Sequence, residues 1–322
     1  MKLLVTGGAG YIGGVVTSQL LQAGHQVTVI DDLSTGHADV VPDGAEFHRI
    51  PVHDVATVLT PDAGYDGVLH FAAKIAAGES VIKPELYWDT NVRGSLALLD
   101  AVRAAQVPRL VFSSTAAVYG TPDVPSMDET TPTRPTNPYG SSKLAVDLMI
   151  TGEAGAHGLG AVSLRYFNAA GASGSLGERH EPETHLIPIA LDVAAGRREK
   201  LMLFGDDYDT PDGTCVRDYI HVEDLAHAHL LALDAARPGE HQIFNLGNGT
   251  GFSNKQVIDV VREVTGQPVP VEHAPRRDGD AVVVVASSAK AHAELGWRPA
   301  KPDLNAIIGD AWTFHSTRYG QA

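Results

Sequence analysis

The chain has 322 residues, enough for one large or two moderate domains with ample core. At 43% hydrophobic and 20% charged it is too apolar for a disordered segment, and its formal charge of −15 argues against nucleic acid or an anionic membrane as partner. The lone cysteine, Cys215, rules out an intrachain disulfide and fits a cytoplasmic setting.

The opening "MKLLVTGG" reads as a strand entering a glycine loop, with no apolar leader or cleavage signal. Short β-branched runs at 2–6, 26–30, 46–50, 67–71, 109–113 and 161–166 predict strands. Amphipathic stretches such as "IGGVVTSQLLQAG" and "ELYWDTNVRGSLALLDAVRAA" predict helices between them. This alternation predicts an α/β fold, a Rossmann-like doubly wound parallel sheet with helices on both faces. After about residue 168 the rhythm breaks into the polar, glycine-rich "GASGSLGERHEPETHLIP". The expected division is therefore a first domain over 1–168 and a smaller C-terminal α/β lobe over 169–322. The helical run "EDLAHAHLLALDA" (223–235) is expected to return to the sheet, which assigns about 217–237 back to the first domain. The longest apolar run, "AVVVVA" at 281–286, is too short to cross a bilayer.

"TGGAGYIGG" carries Gly7, Gly10 and Gly13 as GxxGxxG between a predicted strand and a predicted helix. Such a loop needs a tight turn, close backbone approach to a pyrophosphate, and close packing of helix on strand. The helix starting near Gly10 aims free N–H groups at that anion, which places Tyr11 and Ile12 at the site. The second strand ends at Asp31, 24 residues after Gly7, with Asp32 beside it. A carboxylate there accepts from the ribose hydroxyls and repels a 2′-phosphate, so the expected cofactor is NAD rather than NADP.

The fifth strand runs into "SSTAAVYG", which puts Ser113, Ser114 and Thr115 at the carboxyl edge where open α/β sheets bind ligands. "NPYGSSK" follows, with Asn137 as expected N-cap and Pro138 at the first helical position. Tyr139 and Lys143, four apart, share one helical face. A phenol titrates near pH 10 when unperturbed, and an adjacent ammonium or nicotinium charge favours its phenolate. The set can move a proton while the Thr115 hydroxyl holds the substrate oxygen. A surface cation–aromatic pair has no use for such a strand end. A non-catalytic nucleotide sensor predicts loss of Tyr139, Lys143 or the hydroxyl at 115, and all three are present.

The glycine triplet, the Thr115/Tyr139/Lys143 set and "RYFNAAGA" resemble the extended short-chain dehydrogenase/reductase family. "HFAAKIAAGESV", "NPYGSSK", "ETHLIP", "DGTCVRDYIHV" and "APRRDGD" resemble its UDP-hexose 4-epimerase branch, over essentially the whole chain. The resemblance implies tightly bound NAD, UDP-glucose and UDP-galactose as substrates, and a homodimer through helices near 83–105 and 139–155. It implies that Tyr139 takes the proton of the sugar 4-hydroxyl as C4 gives up hydride. The 4-keto sugar then swings to present its other face. Lys143 would hold the nicotinamide ribose and keep the tyrosine's pKa low, and Thr115 stands where many members have serine.

Further cofactor contacts implied are Asp54, Val55, Phe71, Ala72, Ala73, Lys74, Asn91, Ser113 and Phe167. For the nucleotide sugar the resemblance implies Asn168, His185, Leu186, Arg217, Tyr219, Arg277, Asp280 and Val284. Two guanidiniums suit a diphosphate, and Asp280 would accept from the uridine ribose. His185 replaces an asparagine of some members. Val284 would bound the pocket beside the sugar's C2, and its small side chain suggests tolerance of an N-acetyl group. Ala116 and Ala117 replace the acid pair of the related dehydratases, which argues against elimination.

Three signals are set aside. "HEPETH" at 180–185 has the spacing HExxxH, and Pro182 opposes the helix a zinc motif needs, so no metal is expected. His227 and His229 face different ways on one helix. Cys215 has no base partner and reads as a small packed residue.

Overall fold

A computed structural model describes residues 1–277 and 280–320. Seven strands form one parallel sheet: β1 (Lys2–Thr6), β2 (Gln26–Ile30), β3 (Glu46–His48), β4 (Gly67–His70), β5 (Arg109–Thr115), β6 (Gly160–Tyr166) and β13 (His241–Leu246). Their order is β13-β6-β5-β4-β1-β2-β3, so the strand order reverses between β1 and β4. Successive side chains leave opposite faces of each strand. Leu3 and Val5 therefore pack under α1 (Tyr11–Gln22) and α7 (Val222–Ala235), while Leu4 packs with α4 (Gly94–Ala104) and α5 (Pro138–His157) on the other side. Val111 and its neighbours Leu110 and Phe112 divide the same way. Two-sided burial explains why these strands are nearly unbroken apolar runs.

Six of the seven strands coincide with predicted ones, β3 ending two residues early and β5 running on to Thr115. The seventh, β13, was not anticipated. "HQIFNL" carries polar residues at three of six positions, and His241 and Asn245 find their partners only in the fold. His241 bonds Thr151 and Ser163 through its two ring nitrogens, both at 2.8 Å. Buried Asn245 donates to the Met127 carbonyl at 3.0 Å and accepts from the Tyr119 hydroxyl at 2.7 Å.

α5 starts where Asn137 Oδ1 accepts from the Gly140 amide at 2.9 Å with Pro138 at its first position, and it ends at Gly158 in the left-handed region. The short helices α2 (Ala77–Ile82) and α3 (Pro84–Tyr87) lie between β4 and α4 and pack on α5.

The smaller lobe has its own core, formed by α6 (Leu186–Ala194), α8 (Asn254–Thr265) and α9 (Leu304–Tyr319). Its strands are short. β7 (Asn168–Ala170) pairs with β12 (Tyr219–His221), and β8 (Ala172–Ser173) with β9 (Leu176–Gly177). β10 (Leu201–Phe204) pairs with β15 (Val271–Ala274), and β11 (Val216–Arg217) lies between β14 (Phe252–Ser253) and β16 (Val283–Val284). Among the described residues no helix is long and apolar enough to cross a membrane.

Candidate active site

The glycine loop lies at the carboxyl end of β1, beside the point where strand order reverses. Gly7 has φ +73°, and a Cβ there would sit 2.5 Å from the Ala72 nitrogen. A Cβ at Gly13 would sit 2.2 Å from the Gly7 oxygen, so only glycine lets α1 pack this closely on the loop. A Cβ at Gly10 would meet nothing nearer than the Gly7 oxygen at 3.3 Å, which leaves that side open to a ligand. The first-turn amides of Tyr11 and Ile12 have no partner within a helix at these positions. The Tyr11 phenol itself is committed to the Gly171 carbonyl at 2.7 Å, joining the loop to the smaller lobe.

Asp31 directly follows β2, with one oxygen accepting from Ala9 N at 3.1 Å and the other from Leu33 N at 2.8 Å. Burial raises its pKa, and these two amides work against the rise. Exposed Asp32 instead accepts from Ser34 N at 2.8 Å. The donor set fits a dinucleotide: an amide cradle for the pyrophosphate and, at the end of the neighbouring strand, a carboxylate fixed by two amides.

The loop after β4 borders the cradle. Phe71 N and Ala72 N both donate to the Thr6 carbonyl, and the Phe71 ring leans on His229 at 4.8 Å. Ala73 and Lys74 continue the loop, half-buried. Buried Asn91 pins it: its oxygen accepts from Lys74 N at 2.8 Å, and its amide donates to Lys74 O at 3.0 Å and to Ser142 at 2.9 Å. Its two donors are thus spent on the protein, and it acts on the cleft mainly by holding the loop. Asp54 is exposed, whereas the neighbouring Val55 side chain is sealed in the core, so only the Val55 backbone can face a cofactor.

Thr115, Tyr139 and Lys143 come together where β5 meets α5. A Cβ at Gly140 would fall 2.5 Å from the Ala117 oxygen, so glycine here seats the first turn of α5 directly on the turn after β5. That contact sets the Tyr139 phenol beside the Thr115 hydroxyl. Burial pushes the phenol's pKa up and the Thr115 hydroxyl partly offsets it. Lys143 is buried, with Nζ donating to the Ser113 carbonyl at 2.8 Å and lying 4.8 Å over the Phe112 ring. Burial pulls its pKa down to about 7, against the opposing field of Asp147.

The expected depression of Tyr139 by Lys143 is therefore not produced by the protein alone. Desolvation is the largest cause for both groups, opposed at Tyr139 by the Thr115 hydroxyl and at Lys143 by the Asp147 charge. Behind the pair, Ser113 shares a hydrogen bond with the Tyr166 hydroxyl, and Arg165 grips Asp147 at 2.9 and 3.0 Å in the buried layer beneath.

A cavity of about 290 Å³ opens in the smaller lobe, lined by Asn168, Leu186, Arg217, Tyr219, Arg277 and Asp280 among others. The Asn168 amide donates to the Asp218 carbonyl at 2.8 Å. Burial raises the Tyr219 phenol, with the Arg217 charge opposing. Arg277 forks onto Asp280 at 2.9 and 3.3 Å, and Arg217 stands 3.9 Å from the same carboxylate. Asp280 thus takes guanidiniums instead of standing free for a ribose. Val284, the register partner of Arg217, packs with Phe167 on Val118, Tyr119 and Met127.

The sequence reading missed Phe204 and Met202. β10 alternates in burial, Leu201 and Leu203 lying in the lobe core and Met202 and Phe204 half-buried; all four border the cavity, with the Arg277 guanidinium 4.8 Å over the Phe204 ring. All four residues of "LMLF" are apolar, so the sequence carries no alternation that marks which face meets the cavity.

His185 lies at the cavity rim, at the N-terminal end of α6, with Nδ1 at 2.7 Å from Glu178 and 2.9 Å from Glu183. "HEPETH" forms an irregular loop, not a helix. His227 is exposed and His229 fully buried with Nδ1 on the Leu225 carbonyl, while Cys215 is packed inside.

Residues 3–247 match the NAD dependent epimerase/dehydratase family. The chain is 59% identical over 320 residues to the UDP-glucose 4-epimerase of Streptomyces lividans, covering 98% of this chain and 96% of that one. It is 57% identical over 316 residues to the UDP-glucose 4-epimerase of Corynebacterium glutamicum, with the same coverage of each. Its structure superposes with a TM-score of 0.95 on the Stenotrophomonas maltophila UDP-glucose-4-epimerase solved with bound NAD and formylated UDP-arabinopyranose, at 40% identity and full coverage of both chains (100% and 100%).

Proposed function

The chain belongs to the NAD dependent epimerase/dehydratase family, it is an NAD-dependent enzyme that interconverts UDP-glucose and UDP-galactose by inverting C4 of the hexose, and we propose that Thr115, Tyr139 and Lys143 carry the reaction. Bound NAD supplies a reversible hydride acceptor for that carbon. The Gly7–Gly13 amides hold its pyrophosphate and Asp31 its adenosine ribose. Lys143 holds the nicotinamide ribose, and the positive charge of the bound nicotinamide would favour the phenolate. Tyr139 takes the proton of the sugar 4-hydroxyl as C4 is oxidised and returns it on reduction, while Thr115 orients that oxygen. The 4-keto sugar turns about its link to the diphosphate and offers its other face, which inverts the centre. Arg217 and Arg277 hold the diphosphate, and its arrival releases Asp280 to accept from the uridine ribose.

The observation that carries this reading is the approach of the Thr115 hydroxyl to the Tyr139 phenol at the carboxyl edge of the sheet, two strands from the glycine cradle. The test is to mix the purified protein with UDP-galactose and no added NAD, and follow the sugar anomeric protons by NMR. UDP-glucose should appear; its absence at high enzyme concentration overturns the assignment.

We also read the enzyme as a cytoplasmic homodimer. The support is an apolar stripe on α2, α4, α5 and the turn before α4. Ile82 is 79% exposed, Leu148 66%, Val81 64%, Leu96 47% and Trp88 43%. Large apolar side chains this exposed, on helices that pack against one another, suit a two-fold contact with a second copy.

A further inference from the structure

Residues 178–185 open the smaller lobe. In this segment one oxygen each of Glu178 and Glu183 and one ring nitrogen each of His180 and His185 lie within 4.8 Å of one another. We propose that these four side chains form a divalent-cation site, suited first to Zn²⁺, that fastens the segment between the two lobes.

The contacts have the pattern of a shared centre. His185 Nδ1 faces Glu178 at 2.7 Å and Glu183 at 2.9 Å, and the same Glu178 oxygen faces His180 Nδ1 at 3.0 Å. One imidazole nitrogen carries at most one hydrogen, which cannot point squarely at two carboxylates. A cation satisfies all four donors at once. Zinc bonds of about 2.0–2.2 Å in a tetrahedron would set neighbouring ligand atoms roughly 3.3–3.6 Å apart. The three contacts of 2.7–3.0 Å would open towards that spacing, and any pair near the 4.8 Å limit of the cluster would close towards it. Two imidazoles and two carboxylates with no thiolate match Zn²⁺ better than Ca²⁺ or Mg²⁺, which prefer all-oxygen sets.

The surroundings support the ligands. The Glu178 and Glu183 side chains are only 8% and 14% exposed, so two adjacent anions are partly withdrawn from water, where unpaired charge is costly. Thr184 N and His185 N both donate to Glu183 at 2.7 Å and fix its carboxylate, the usual second layer of a metal site. Between the ligands, Arg179 reaches across to Asp39 with 3.0 Å bonds to both oxygens, and His37 bonds the Arg179 carbonyl. The segment therefore already bridges the loop after β2 and the start of α6, and a cation would lock that bridge. Pro182 hid the set from sequence reading, since it forbids the helix on which His-Glu-His spacing is usually judged; an irregular loop reaches the same convergence.

The test uses the NAD-loaded protein, stripped with EDTA, returned to chelator-free buffer and titrated with ZnCl₂ by calorimetry, with Co²⁺ as optical probe. One saturable equivalent of Zn²⁺ per chain is expected, with a rise in thermal midpoint and an intense visible Co²⁺ band of four-coordinate type. Glu183→Gln and His180→Ala should each lose that equivalent and that band while keeping the far-UV spectrum and bound NAD of the wild type. If either variant misfolds, the other decides. Equal Zn²⁺ uptake by wild type and variants, or no saturable uptake by wild type, would leave an ion-paired cluster only and overturn the site.

Discussion

Lys143 Nζ donates to the Ser113 carbonyl oxygen across 2.8 Å, tying the second turn of α5 to the end of β5 inside a water-excluded layer. Burial holds this group down to about 7, against an ordinary value of 10.5. Between those two values the unfolded chain binds a proton that the folded chain does not, so stability rises with pH across the window. Below it the cost of burying the charge is fully present. In NAD-depleted protein the urea midpoint should rise between about pH 6.5 and pH 9.5 more steeply for wild type than for Lys143→Met. Equal slopes would mean that Lys143 titrates as it does in water.

Tyr139→Phe removes the oxygen proposed to carry the substrate proton and leaves the ring that packs edge-on against Tyr87 at 6.4 Å. Turnover of UDP-galactose should fall about 10²–10⁴-fold, the usual worth of a positioned acid–base group, with NAD content unchanged. A variant within threefold of wild type assigns the proton transfer elsewhere.

Asp31→Ala deletes the carboxylate that faces Ala9 N and Leu33 N and, in the proposed complex, the adenosine ribose. Losing charged hydrogen bonds worth about 1.5–3 kcal/mol should weaken NAD by roughly 10- to 150-fold. The purified variant should carry little cofactor, read from its absorbance at 260 against 280 nm after gel filtration; full occupancy contradicts the assignment.

Leu148→Asp combined with Leu96→Asp puts two charges into the apolar stripe on α5 and α4 without touching the core. Light scattering should show the wild type at twice the chain mass and the double variant at the chain mass. A wild type already monomeric at micromolar concentration removes the proposed contact.

Val284 leaves more room beside the proposed sugar position than an aromatic residue would. Slow conversion of UDP-N-acetylglucosamine is expected from the wild type and none from Val284→Tyr, with UDP-galactose still turned over by both. No detectable N-acetyl product from the wild type refutes the tolerance.

Much of the first domain was legible from local pattern. Strands buried on both faces are uniformly apolar, glycines that support close packing occur at set spacing, and an Asn-Pro pair announces the start of α5. β13 escaped because His241 and Asn245 are polar for reasons that lie about 80 to 125 residues away, in Ser163, Thr151, Tyr119 and Met127. The smaller lobe escaped in detail because strands of two to four residues are too short to establish a period.

Chemical identity was a property of the chain itself: which residue carries a phenol, an ammonium, a guanidinium or a carboxylate, and at what spacing along a helix or after a glycine. Their state was not. Packing α5 onto β5 removes water from Tyr139 and Lys143 together, so burial shifts both pKa values towards the neutral forms. The same folding closes Arg277 onto Asp280 and gathers Glu178, His180, Glu183 and His185 around one point. Solvent exclusion and through-space charge depend on neighbours far apart along the chain, and only the tertiary structure supplies those neighbours.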